Sequence, residues 1–161
     1  MIRDNIEIDS RVEDAFAYLE QLERHGEWQA EIVSTTVVTE GPVRVGTRVR
    51  EVRRIGGRER HSSYEITEHA PPYRHSFRGT GGLIRPAGTV TVDPIGAASR
   101  TRVSIEFNLI GRGVGRLLAP LARRAARKSV IDSQRRFKAK LERGKPHAGQ
   151  SGQEPAHATR G

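Results

Sequence analysis

Apolar and polar residues alternate along most of this chain, and near its end the period changes. Residues 2–8, "IRDNIEI", place Ile2, Ile6 and Ile8 on one face, as a half-buried strand does. In "DSRVEDAFAYLEQLERHGEW", Val12, Phe16 and Leu19 recur at helical intervals. Ser10 and Glu13 have capping-box spacing, and a break is expected near Leu22. A long β-rich run follows, from "EIVSTTVVTE" through the turn "GPVRVG" into "GTRVREVRRI". Gly56-Gly57 is a two-residue hairpin signal before "RERHSSYEITEH". "APP" at residues 70–72 interrupts the run, and "YRHSFRG", "TVTVDP" and "RTRVSIEFNLI" resume it. In the last of these, Thr101, Val103, Ile105, Phe107 and Leu109 share one face, which predicts an antiparallel sheet with one side on a core. From Gly113 to Arg143 the period is helical, with Pro120 as the one internal breaker. Strand, short helices, six more strands and a long helix, without parallel βαβ units, make an α+β domain over 1–143. Residues 144–161 are Gly/Pro-rich and polar without periodicity, and read as a disordered tail.

The turn into the long helix carries Gly111, Gly113 and Gly115, which suggests a phosphate loop. A dinucleotide fingerprint needs G-x-G-x-x-G inside a unit that returns to a parallel strand. Here the spacing is G-x-G-x-G and no strand follows. The glycines read instead as the sharp reversal from sheet to helix.

Within the helix, every fourth residue from Leu117 (Leu121, Ala125, Ser129, Ser133, Phe137, Leu141) is uncharged. The adjacent row of Val114, Leu118, Ala122, Ala126 and Val130 is apolar. Such rows cross the helix axis obliquely, as expected for a helix lying diagonally on a twisted sheet. Small residues occupy the middle. Either the helix approaches the sheet closely there, or it leaves room for a ligand.

Composition narrows the classes. The chain has 161 residues, enough for one domain with a single core. It contains no cysteine, which removes disulfides, thiolate metal sites and a cysteine nucleophile. No apolar run approaches a membrane span, so a soluble cytoplasmic protein is expected, without stable membrane insertion. From Arg112 to Lys145 there are 12 Lys/Arg against 2 Asp/Glu, more than the whole net charge of +9. With aromatics at only 5% and no reading motif, the expected role of this charge is a solvated helix face. Nucleic acid is not the expected partner. Contacts through Arg116, Arg123 and Arg127 would be weak and salt-sensitive if the apolar row is used against the sheet.

The stretches "GTRVR", "YEITEHAPPYR" and "RFKAKLE", with "IEIDSRVEDAFAYLEQLERHGEW" before them, resemble the START-like, helix-grip superfamily in its polyketide cyclase/dehydrase branch (SRPBCC). The resemblance spans nearly all of 1–143. It implies a curved antiparallel sheet of about seven strands wrapped around one long C-terminal helix, with two short helices after the first strand. It also implies a cavity between sheet and helix, and a small hydrophobic or aromatic ligand, lipid-like or polyketide-like. The family includes carriers and aromatase/cyclases, so the resemblance alone does not choose between them.

Strand parity and the helix rows then give cavity-wall candidates Glu51, Arg53, Ser62, Tyr64, His75, Phe77, Ile105, Phe107, Leu118, Leu121, Ala125 and Ser129, and the resemblance adds Trp28, where the family's helical region opens onto the cavity. Glu51 and Arg53 either pair inside the cavity or mark a strand with water on both faces. No catalytic set is assigned. His75, as an acid or base, and Tyr64, as a carbonyl-polarising hydroxyl, are the candidates for a cyclase/dehydratase reading. A third reading is a regulatory protein whose basic helix binds nucleic acid or an acidic partner. His69 and His75 are six apart with no ligand-spacing motif, so neither a metal nor another cofactor is expected. The oligomeric expectation is a monomer or homodimer.

Overall fold

The structure, a computed structural model, describes residues 1–96 and 99–143. Seven strands form one antiparallel sheet in the order β1-β7-β6-β5-β4-β3-β2. They are β1 (Ile2–Ile8), β2 (Ile32–Val37), β3 (Arg48–Ile55), β4 (Arg58–Ala70), β5 (Arg74–Gly79), β6 (Ile84–Ile95) and β7 (Arg100–Gly111). Between β1 and β2 the chain passes through helix α1 (Val12–Leu19) and a 3-10 helix (Leu22–Glu27). Helix α2 (Gly115–Arg143) closes the fold. The expected tail from 144 onward lies outside the described residues.

Local chemistry fixes the ends of most elements. Gly56 and Gly57 have φ of 59° and 75°, so the β3–β4 hairpin is a two-residue turn that only residues tolerant of positive φ form without strain. The capping box expected at Ser10 does not form. Arg11 is the residue before the first helical turn, and no side chain caps it. Ser10 lies one position too early and is buried; its carbonyl accepts a 2.7 Å hydrogen bond from the Thr101 hydroxyl of β7. This bond ties the helical segment to the sheet.

One face of the sheet is concave and carries the core. Ile8, Phe16, Leu19, Trp28, Val92, Val103 and Phe137 belong to one buried cluster, and Leu22, Val49, Tyr64 and Ile66 form a second. Each such side chain contributes about 1.5–3 kcal/mol of transfer free energy. In β4 the register slips between Ile66 and Glu68. That bulge turns both Ile66 and His69 inward, where His69 meets the ring of Phe16 at 6.2 Å.

The expected row on α2 faces the core only toward its C-terminal end, where Phe137 is buried and Leu141 packs against the core cluster. Leu117, Leu121 and Ala125 are exposed, and Leu118 is more than half exposed. Gly115, Ala119, Gln134 and Phe137 are buried. At 100° per residue these four, with Ala126 and Val130 between them, trace a stripe roughly opposite Leu117 and Leu121. Close approach fixes its first position: a Cβ on Gly115 would sit 2.3 Å from the carbonyl oxygen of Leu83 in the β5–β6 connection, so only glycine fits where α2 begins.

Gly88 is a second enforced glycine, in mid-strand β6. A Cβ there would meet the Phe77 ring at 2.8 Å, because that ring lies flat across the Phe77–Gly88 pair. Gly88→Ala should lower stability by about 1–2 kcal/mol by displacing the ring. Urea denaturation of the single and double variants checks this: the cost should shrink in a Phe77→Ala background, and equal cost in both would show that the ring is not the obstacle.

Candidate functional site

The concave face has a closed end and an open end. At the closed end Phe137 of α2 stacks on Tyr18 of α1, with ring centroids 5.4 Å apart, and meets Trp28 edge-on at 5.1 Å. At the open end Phe77, Ile105, Phe107 and Leu109 point inward yet are only half-buried. The first half of α2, with Ala119, Ala122 and Ala126 on its inner side, passes this end. Arg123 anchors it by donating to the carbonyl oxygen of Leu109 at 3.0 Å.

Polar groups are set into this interior. Glu51 is 3% exposed and accepts a 2.8 Å hydrogen bond from Nε of Arg53; Arg53 also donates to Gln29 at 2.9 Å. The two residues share a strand face, and they pair inside the fold instead of facing water. Ser62 is half-buried opposite Glu51 in the β3–β4 register. Tyr64 is buried beside them, with its ring 5.3 Å from that of Phe77. Burial first, and Glu51 second, push its hydroxyl well above the ordinary tyrosine range, so it stays protonated and can donate.

Three histidines approach the same interior. His25, from the 3-10 helix, is buried against Trp28 with centroids 4.9 Å apart, and its Nε2 is 2.8 Å from the Leu19 carbonyl oxygen. Burial holds it below its ordinary pKa, against the opposing pull of that hydrogen bond and of Glu51. His69 is paired with Glu20. His75 is buried and pushed down to about 4, first by desolvation and then by the neighbouring His25 and His69. Near neutral pH it is an uncharged imidazole, able to accept a proton only at a cost. Among the described residues no group of three or more His, Cys, Asp or Glu is arranged to hold a metal ion.

Several buried polar atoms here have no protein partner: Trp28 Nε1, His75 Nδ1, and both Oε1 and Nε2 of Gln134. Leaving such an atom unpaired costs about 1–3 kcal/mol. Trp28 and His75 are among the residues expected at the cavity wall. Gln134, His25 and His69 are not. Gln134 is legible only from the correct helix row, where it interrupts Val130 and Phe137. The expected positions Leu118, Leu121 and Ala125 lie on the other side of α2, while Ser129 is half-buried near its inner side.

Two clefts are open. One of about 390 Å³ lies between α1, the 3-10 helix and the end of α2, lined by Tyr18, Arg24, Glu27, Lys140 and Leu141. A groove of about 600 Å³ crosses β4–β7, lined by Phe77, Gly88 and Phe107 of the inward set and by Ser76, Thr89 and Glu106 between them.

Comparison with known proteins agrees with this architecture. The family model described as "Polyketide cyclase / dehydrase and lipid transport" matches residues 2–142, and the chain belongs to that family. No curated protein matches it by sequence. Among solved structures, the Zhui aromatase/cyclase from Streptomyces sp. R1128 superposes with a TM-score of 0.78 at 11% identity, over 93% of this chain and 98% of that one. A START superfamily protein from Mycobacterium smegmatis gives a TM-score of 0.70 at 12% identity, over 88% and 97%. The protein TTHA0849 from Thermus thermophilus gives 0.70 at 22% identity, over 90% and 99%. At these identities the likeness establishes the helix-grip fold.

The buried imidazole has a consequence for stability. The unfolded chain takes up a proton at the ordinary histidine value of 6.5, and folded His75 only near 4. Stability is therefore level above this window and falls as pH drops through it, by about 2 kcal/mol between about pH 7.5 and about pH 5 from this residue. His75→Gln should flatten the slope measured by urea denaturation at the two pH values. An unchanged slope would mean that the ring is already protonated, or solvated, in the folded protein.

Proposed function

We propose that the protein holds a small hydrophobic or aromatic molecule in the space between the concave sheet and the first half of α2. The supporting observations are half-buried Phe77, Ile105 and Phe107, a helix stripe of alanines, and the unsatisfied His75 ring 6.3 Å from that of Phe77. An apolar ligand body would cover the aromatics. A polar group on it would bond to His75 Nδ1. Such a pocket gains about 25 cal/mol per Å² of apolar surface buried, less the cost of ordering the ligand. The family's description includes both cyclase/dehydrase activity and lipid transport, and this chemistry suits a carrier directly.

A cyclase/dehydratase reading draws on a different observation. Tyr64 keeps its proton and can polarise a carbonyl, while the neutral His75 has a free ring nitrogen within the same interior. The two readings share a pocket and differ in what His75 does.

An environment-sensitive apolar dye separates the outcomes. Wild-type protein should take it up with a rise in emission, and Ala126→Trp, which fills the space under the helix, should weaken uptake at least about tenfold. His75→Ala should leave uptake nearly intact under the carrier reading. Failure of the wild-type protein to bind any such probe would overturn both readings. A substrate turned over by wild type and not by His75→Ala would establish the enzymatic one.

A further inference from the structure

The leucines absent from the inner stripe of α2 leave an unusual surface. Val114, Leu117, Leu118 and Leu121 are 67%, 83%, 54% and 71% exposed. At 100° per residue they fall on one side of the helix, extended by exposed Ala125. Leu83, 58% exposed in the β5–β6 connection, packs against Gly115 on the opposite side of the helix start and is not part of this ridge. Single exposed leucines are ordinary; a contiguous apolar set along one side of a helix is not.

The charge around this patch has one sign. Arg112, Arg116, Arg124, Arg127 and Lys128 are all exposed, and no Asp or Glu occurs between Glu106 and Asp132. Arg124 and Lys128 continue the side of the helix that carries Leu117 and Leu121. Salt bridges to acidic residues, frequent elsewhere on this surface, are not formed by these five cations among the described residues. Nucleic acid would use the cations and leave the leucines in water. A protruding apolar ridge with a cationic border fits the boundary between anionic headgroups and acyl chains, where leucines enter hydrocarbon and long Arg and Lys stems reach back to phosphate.

We propose that the α2 N-terminal ridge, residues 114–128, docks the protein on an anionic lipid surface. Docking is peripheral, since no helix among the described residues is long and apolar enough to cross a membrane. The ridge lies outside the concave interior, so this inference stands or falls separately from the ligand reading.

The test is co-sedimentation of the full chain with vesicles of phosphatidylcholine, with and without phosphatidylserine. Wild type should bind the anionic vesicles, and binding to neutral vesicles should be weaker by about tenfold or more. Leu117→Ser with Leu121→Ser removes only exposed side chains and should leave the thermal melt unchanged while weakening anionic-vesicle binding by about tenfold or more. Arg124→Gln with Lys128→Gln should reduce binding chiefly at low salt. Because the chain has no cysteine, Leu117→Cys gives a unique attachment point for a polarity-sensitive fluorophore, whose emission should shift to the blue with anionic vesicles. Absence of wild-type binding, or equal binding by the serine variant, would overturn the proposal. So would concentration-dependent dimerisation that the serine variant abolishes without any vesicle binding, since the ridge would then belong to a second copy of the chain.

Discussion

The architecture turns on how α2 is held, because one long helix must cover a concave sheet that is much wider than itself. Its C-terminal half is fixed by Phe137, whose ring is caught between Tyr18 and Trp28. Each aromatic contact of this kind adds about 0.5–1.5 kcal/mol to the area it buries. The N-terminal half has no comparable side-chain anchor. It is held by glycine and alanine close to the backbone of its neighbours and by Arg123 reaching the Leu109 carbonyl. A helix clamped tightly at one end and lightly at the other lets the aromatics of β5 and β7 stay half-covered.

Polar insertions sharpen that asymmetry. Glu51 has its charge answered by Arg53, which reaches in from the edge of the sheet and is itself held by Gln29. Removing one partner from a buried pair costs more than the pair is worth, so the pair is weak evidence for added stability. Trp28, His75 and Gln134 are different, since each has at least one buried polar atom without a protein partner. In a structure built only for stability those positions would be apolar. The His75 ring lies 6.3 Å from that of half-covered Phe77, and that adjacency is the physical basis for proposing a ligand there.

Much of the fold is legible in the sequence. Period-two alternation identifies β1 and the inward face of β7, the Gly56-Gly57 pair marks the hairpin, and the change to helical period marks α2. Resemblance adds the helix-grip arrangement that the family match establishes. The inner face of α2 differs from the expected one for an identifiable reason. Hydrophobicity marks burial where side chains fill a gap between elements, whereas α2 starts on Gly115 because a Cβ there would meet the Leu83 carbonyl. Three cavity-wall candidates, Leu118, Leu121 and Ala125, follow the leucine row and lie on the outer side. On the strands, where parity leaves only two choices, Glu51, Tyr64, His75, Phe77, Ile105 and Phe107 occupy the face that parity predicts. His25 and Gln134 cannot be found this way, since a 3-10 helix has no reliable periodicity and a lone glutamine among Arg and Lys reads as solvent-facing.

The most direct measurement is native mass spectrometry of freshly purified protein, gentle enough to keep non-covalent adducts. The account predicts a discrete small-molecule adduct, released on denaturation, that is missing from protein whose interior has been filled by a large side chain on the inner stripe of α2. Bare protein in every preparation, together with an interior that stays empty when apolar compounds are supplied in excess, would contradict it.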